Sequence, residues 1–184
     1  RTQVMGKPEE YPINLVVSFD GTDIPLDHRL FTSGQVRVMI GTSPAGGAYL
    51  QQRLQQEHLF FGPYTAKEQI NIQEVRAALA AQPAAIPVFL TGTGAVPESA
   101  PLLYLLRQLD IRKLCIESPS YMWHLIETKA MDEMFINYSM VFAGGPLAMG
   151  VQRPFSATDH PHSELLLLAA HRNNFIFTRQ RLRY

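Results

Sequence analysis

Hydrophobic residues along this chain fall into two kinds of run, and the kinds alternate. Ile13-Asn14-Leu15-Val16-Val17, Val36-Arg37-Val38-Met39-Ile40 and Pro87-Val88-Phe89-Leu90 are short, rich in β-branched residues and closed by turn residues, as buried strands are. Residues 58–61, bounded by Gly62-Pro63, and residues 113–116 read as two further strands. Between the strands, apolar positions recur at helical spacing. Thr42-Ser43-Pro44 opens a helix over 45–56, because a hydroxyl caps free N–H groups and proline suits the first helical position. Asn71 and Glu74 form a capping-box pattern ahead of Ile72, Val75, Ala78 and Leu79, which predicts a helix up to residue 82. Leu102, Leu103, Leu105, Leu106 and Leu109 make the buried stripe of a helix over 98–109, and another helix is expected over 119–128. Residues 1–12 read as a loop, and 25–31 as an irregular turn.

The pattern then changes. Residues 133–142 predict a long strand ending at Gly144-Gly145-Pro146, and the extended runs 164–171 and 174–181 are separated only by Arg172-Asn173, the signature of an antiparallel hairpin. Strand-helix-strand repeats imply parallel strands with right-handed crossovers. The expected fold is therefore α/β: three layers, a mixed but mainly parallel sheet with helices on both faces, and the C-terminal hairpin as an antiparallel edge.

Composition narrows the function classes. At 184 residues the chain is the size of one domain. Sixteen basic residues balance sixteen acidic ones, so the cationic surplus that nonspecific nucleic-acid binding requires is missing. No apolar stretch approaches the roughly 18 residues of a membrane span, and the N-terminus lacks a secretory pattern. Cys115 is the single cysteine and lies in an apolar run, which reads as a buried small hydrophobe in a reducing compartment. The expectation is a cytoplasmic protein with neither nucleic-acid nor membrane partners.

In an open parallel sheet, ligands lie at the carboxyl ends of the strands. Three such ends stand out. Thr42 and Ser43, followed by Gly46 and Gly47, offer hydroxyls and helix-start amides to a phosphate, or form an ordinary helix cap. No acidic residue ends that strand, so a ribose 2′-phosphate is not repelled there. Thr91-Gly92-Thr93-Gly94 lets backbone approach a pyrophosphate, or is a plain loop. In Glu117-Ser118-Pro119-Ser120-Tyr121-Met122 a carboxylate leaves a strand and a hydroxyl-rich turn opens a helix; the acid serves as an acceptor for a heterocycle or as a cap.

Weaker features complete the inventory. Asp159, His160 and His162 fit a surface loop better than a metal site. Arg179, Arg181 and Arg183 share one face of a strand, where they meet a phosphate or keep the strand end from pairing. Met122, Trp123 and Leu125 read as core. No nucleophile elbow, phosphate-binding Walker loop or cysteine pair occurs, and no catalytic residue or metal ligand is assigned.

Leu114-Cys115-Ile116-Glu117-Ser118-Pro119, Met131-Asp132-Glu133-Met134-Phe135-Ile136 and Val141-Phe142-Ala143-Gly144-Gly145 resemble the hallmark segments of the reductase domain of the bifunctional riboflavin-biosynthesis deaminase-reductase, a dihydrofolate-reductase-like fold. Ile24-Pro25-Leu26-Asp27-His28-Arg29-Leu30-Phe31 and the closing hairpin fit the same family. The resemblance implies an NADPH-dependent oxidoreductase acting on a pyrimidine or pterin-like compound, of the 5-amino-6-(5-phosphoribosylamino)uracil reductase type. It implies cofactor contacts at Ser118, Pro119, Ser120, Tyr121 and Met122 near the phosphates and at Thr42 and Ser43 near the adenosine, a substrate-facing Glu117, and a homodimer. Ser118 stands where the family has glycine, and residues 86–109 are extra relative to it. Residues 1–184 are expected to form a single reductase-like domain lacking the family's N-terminal strand-helix portion, which lines the substrate pocket. The alternative reading is a nonenzymatic nucleotide-binding module on the same fold.

Overall fold

The computed structural model describes residues 11–140, 155–156, 158, 160–172 and 174–184. The chain forms two compact units, Arg1–Leu114 and Cys115–Tyr184. It is α/β, with a four-stranded parallel sheet and helices in the first unit and a three-stranded antiparallel sheet in the second.

The first unit runs β1 (Asn14–Val17), α1 (Arg29–Thr32), β2 (Val38–Thr42), α2 (Pro44–Arg53), β3 (His58–Tyr64), α3 (Ile72–Ala81), β4 (Ile86–Thr91) and α4 (Ser99–Gln108). All four strands pair in parallel, in the order β1-β2-β4-β3. Successive strand residues face opposite sides of a sheet, and the core divides accordingly. Ile40 and Val88 pack with Phe31 of α1 and Leu50 of α2, whereas their neighbours Met39 and Phe89 pack with Val75 of α3 and Leu102, Leu105 and Leu106 of α4. Helices therefore cover both faces, as the strand-helix alternation predicts.

Crossover handedness accounts for which helix takes which face. The steps from β1 to β2 and from β2 to β3 advance across the sheet in one direction, and α1 and α2 share a face. The step from β3 back to β4 reverses direction, and α3 takes the other face. A constant right-handed crossover demands that pairing of direction and face. The start signals act as expected: Ser43 Oγ accepts from Gly46 N at 3.1 Å with Pro44 opening α2, and Asn71 Oδ1 accepts from Glu74 N at 3.5 Å. The stretch expected as an irregular turn ends in the one-turn helix α1, capped by His28 Nδ1 accepting from Leu30 N at 3.1 Å.

The second unit holds α5 (Pro119–Glu127), β5 (Glu133–Ser139), β6 (His162–His171) and β7 (Phe175–Arg183). The hairpin of β6 and β7 forms, but it is not an edge of the parallel sheet. Instead β7 lies in the middle of a separate antiparallel sheet, order β5-β7-β6, with Glu133 opposite Arg181 and Ser139 opposite Phe175. Hydrophobic alternation identifies a strand without naming its partner, and that is how the mixed-sheet expectation goes astray. Residues 113–116 form no strand, and Cys115 is exposed rather than buried. The run Leu114-Cys115-Ile116 crosses the boundary between the units, and Leu114 and Cys115 are exposed rather than seated in a sheet. Residues 141–142 of the expected long strand and the Gly144-Gly145-Pro146 turn lie outside the described residues. No helix among the described residues is long and apolar enough to cross a membrane.

Candidate functional site

The first unit contains a topological switch point. β2 and β4 are neighbours, yet the helix after β2 covers one face and the helix after β4 covers the other. In open α/β sheets the carboxyl edge at such a switch point is the usual ligand position, and here Ala45 N at the start of α2 donates across it to Gly94 O of the loop after β4, at 3.3 Å. Thr42, Ser43, Thr91 and Gly92 are brought together at these adjacent strand ends.

The two strand ends differ. Thr42 and Ser43 are fully buried; Thr42 Oγ1 donates to Phe19 O at 3.4 Å, and Ser43 caps α2. Pro44 has no N–H, Ala45 N donates to Gly94 O at 3.3 Å, Gly46 N to Ser43 Oγ at 3.1 Å and Gly47 N to Ser43 O at 2.9 Å. The first turn of α2 thus spends its amide donors within the protein, which is the work of a cap.

The β4 end is less completely satisfied. Thr91 is fully buried, and its Oγ1 has no hydrogen-bond partner among the described residues. Buried hydroxyls are rarely left so. Gly92 has φ +83°, and its N–H donates to Tyr64 O at 2.9 Å. A side chain at Gly92 would run into Val96 O, whereas one at Gly94 would meet nothing within 4 Å, so open space borders the backbone there. Tyr64 stands beside Thr91 at the end of β3. Burial, reinforced by Glu74, raises the pKa of its phenol, which keeps the O–H protonated and able to donate.

Sequence reasoning gives Asp20 a place in the turn after the first strand and no role in a site. The loop after β1 folds against the first turn of α2: a Cβ on Gly46 would lie 3.1 Å from the Asp20 carbonyl carbon, and one on Gly21 would lie 3.3 Å from Gly46 O. The Asp20 carboxylate accepts from Thr22 N at 3.0 Å and from Thr22 Oγ1 at 2.8 Å, and these bonds hold its pKa below the ordinary value. The Asp20-Gly21 turn was visible in the sequence as the end of the first strand; its contact with a helix start 26 positions later was not.

Glu117 and Ser118 to Met122 belong to the second unit. Glu117, Ser118, Pro119 and Ser120 are exposed there, and Ser118 caps α5 without a side-chain bond to its amides. Ser118 and Ser120 hydroxyls lie 3.4 Å apart, Met122 N donates to Ser118 O at 2.8 Å, and the Tyr121 ring stacks on His124. Of the residues expected in the core there, Leu125 is buried, and Met122 and Trp123 are half-buried.

The remaining sequence candidates resolve into structure. Arg179 forks onto Glu133 at 2.7 and 3.0 Å, and Arg183 and Arg181 both reach Glu164 Oε2, at 2.6 and 3.7 Å. The His160 and His162 rings lie tilted against each other with centroids 4.6 Å apart, Asp159 lies outside the described residues, and no group of three potential metal ligands occurs among the described residues. A cavity of about 300 Å³ in the second unit is lined by both signs of charge, including Lys129, Asp132, Glu133 and Arg181. In comparisons with known proteins, the chain matches no family model and no curated protein.

Proposed function

We propose that the chain is a nicotinamide-dinucleotide-dependent reductase of the riboflavin-biosynthesis type, acting on a pyrimidine or pterin-like small molecule such as a 5-amino-6-(5-phosphoribosylamino)uracil-like compound, with NADPH as the donor in the family it resembles. The observation that supports this reading is the topological switch point between β2 and β4, where open space borders the backbone at Gly94 in the loop after β4. This edge fits a dinucleotide in that the exposed Gly94 admits close approach of a phosphate. When bound, the nicotinamide supplies the hydride, so the reaction calls for orientation rather than a protein nucleophile. Tyr64, protonated at neutral pH, holds a proton at the same rim.

The test is a titration of the chain with NADPH and NADH, read by nicotinamide fluorescence, followed by loss of nicotinamide absorbance on adding a pyrimidine acceptor. Saturable binding with turnover supports the reductase. Binding without turnover replaces it with a nucleotide-binding module, and no binding of either dinucleotide rejects both.

A further inference from the structure

Three loops meet at the carboxyl edge of the parallel sheet. Residues 18–23 follow β1, 43–47 open α2 and 92–98 follow β4; Gly46 touches the first loop, and its neighbour Ala45 bonds to Gly94 of the third. These loops contain Asp20, Asp23 and Glu98 and no lysine, arginine or histidine. Asp23 is engaged by the buried Ser18 hydroxyl, whereas Asp20 is open to solvent. Two large apolar side chains also stand exposed on this edge, Phe19 at 55% and Val96 at 60%. They follow β1 and β4, strands separated by β2 alone, so their strand ends lie roughly 9–10 Å apart at ordinary sheet spacing. Exposed apolar side chains and an ionised carboxylate on loops at one sheet edge supply the chemistry of a nucleoside seat: a planar base against the apolar groups, sugar hydroxyls donating to the acid.

We infer that Asp20 reads the ribose of the nucleotide at this rim, accepting hydrogen bonds from an unphosphorylated diol and disfavouring a 2′-phosphate. The inference rests on the nucleotide reading above and departs from the resembled family on the preferred dinucleotide. A 2′-phosphate needs a cation, commonly arginine, and the three loops supply a carboxylate instead. The absence of an acid at the end of β2, which favours NADPH when the sequence is read strand by strand, is made good by the neighbouring strand.

The test compares adenosine 5′-monophosphate with adenosine 2′,5′-bisphosphate, which share base and 5′-phosphate, by calorimetric titration of the wild-type chain, Asp20→Asn and Asp20→Glu. Asparagine keeps an oxygen for the Thr22 turn while removing the charge, so the loop is preserved. The wild type is expected to favour the monophosphate, and Asp20→Asn to shift the affinity ratio toward the bisphosphate by about fivefold to tenfold, the order of one charge-charge contact near a surface. Asp20→Glu should retain the wild-type preference. A wild type that favours the bisphosphate, or a ratio unmoved by Asp20→Asn, overturns the inference while leaving the nucleotide reading intact. Failure of both probes and of both dinucleotides to bind the wild type overturns the two together.

Discussion

Ser43 and Gly94 separate the two chemistries that meet at the rim. Ser43 is fully buried and its oxygen serves Gly46 N, so Ser43→Ala should lower stability by about 1 kcal/mol, the usual cost of a lost helix cap. Nucleotide affinity should stay within about twofold, because the lost group faces the protein. Urea unfolding and a parallel titration measure the two effects. A contrasting pair of glycine variants locates the open side. A methyl at Gly46 would collide with the Thr42 hydroxyl and the Asp20 backbone, so Gly46→Ala should cost about 1–3 kcal/mol. Gly94→Ala meets empty space, and its stability should change by less than about 0.5 kcal/mol while nucleotide affinity falls. Ser43 and its cap were legible because a cap is a local pattern of four residues. The role proposed for Asp20 was not, since it would arise from strands brought side by side.

At the level of elements, the antiparallel sheet depends on cross-strand pairs that no local pattern names. Arg179 of β7 forks onto Glu133 of β5, and this bond, with the positive charges of Arg179 and Arg181, holds the Glu133 carboxyl below its ordinary pKa of 4.5. A depressed pKa in the folded chain means that the contribution is present above 4.5 and disappears as pH falls through the lowered value. Glu133→Gln should therefore reduce stability relative to wild type at pH 7, and the difference should vanish in strong acid. Thermal unfolding of both chains across pH 2 to 7 tests this; a gap independent of pH would assign it to packing. The sequence exposes each strand through its β-branched and aromatic residues, yet pairing of β5 with β7 spans about forty residues and is fixed by register. Conversely, Leu114-Cys115-Ile116 has strand composition without a place in a sheet, and composition alone cannot reveal that.

Over the whole chain, the parallel sheet was legible in kind but not in order. Alternating strand and helix patterns imply crossovers, and crossovers imply parallel strands with helices on both faces. Placing β4 between β2 and β3 requires knowing that the third crossover turns back, and no residue announces that. The consequence for stability is two equally deep half-cores on one sheet. Leu50 and Phe89 are fully buried on opposite faces, so Leu50→Ala should cost about 2–5 kcal/mol and Phe89→Ala about 3–5 kcal/mol. Their effects should add in the double variant, because the residues contribute to separate clusters; guanidinium unfolding of the single and double variants checks the sum.

Cys115 is the chain's one sulfhydryl, and it is accessible. A maleimide dye added to the native protein consequently attaches at a single known atom, without engineering and without a competing thiol to mask. Labelling therefore needs no substitution and yields one homogeneous product, with the dye at the first residue of the second unit.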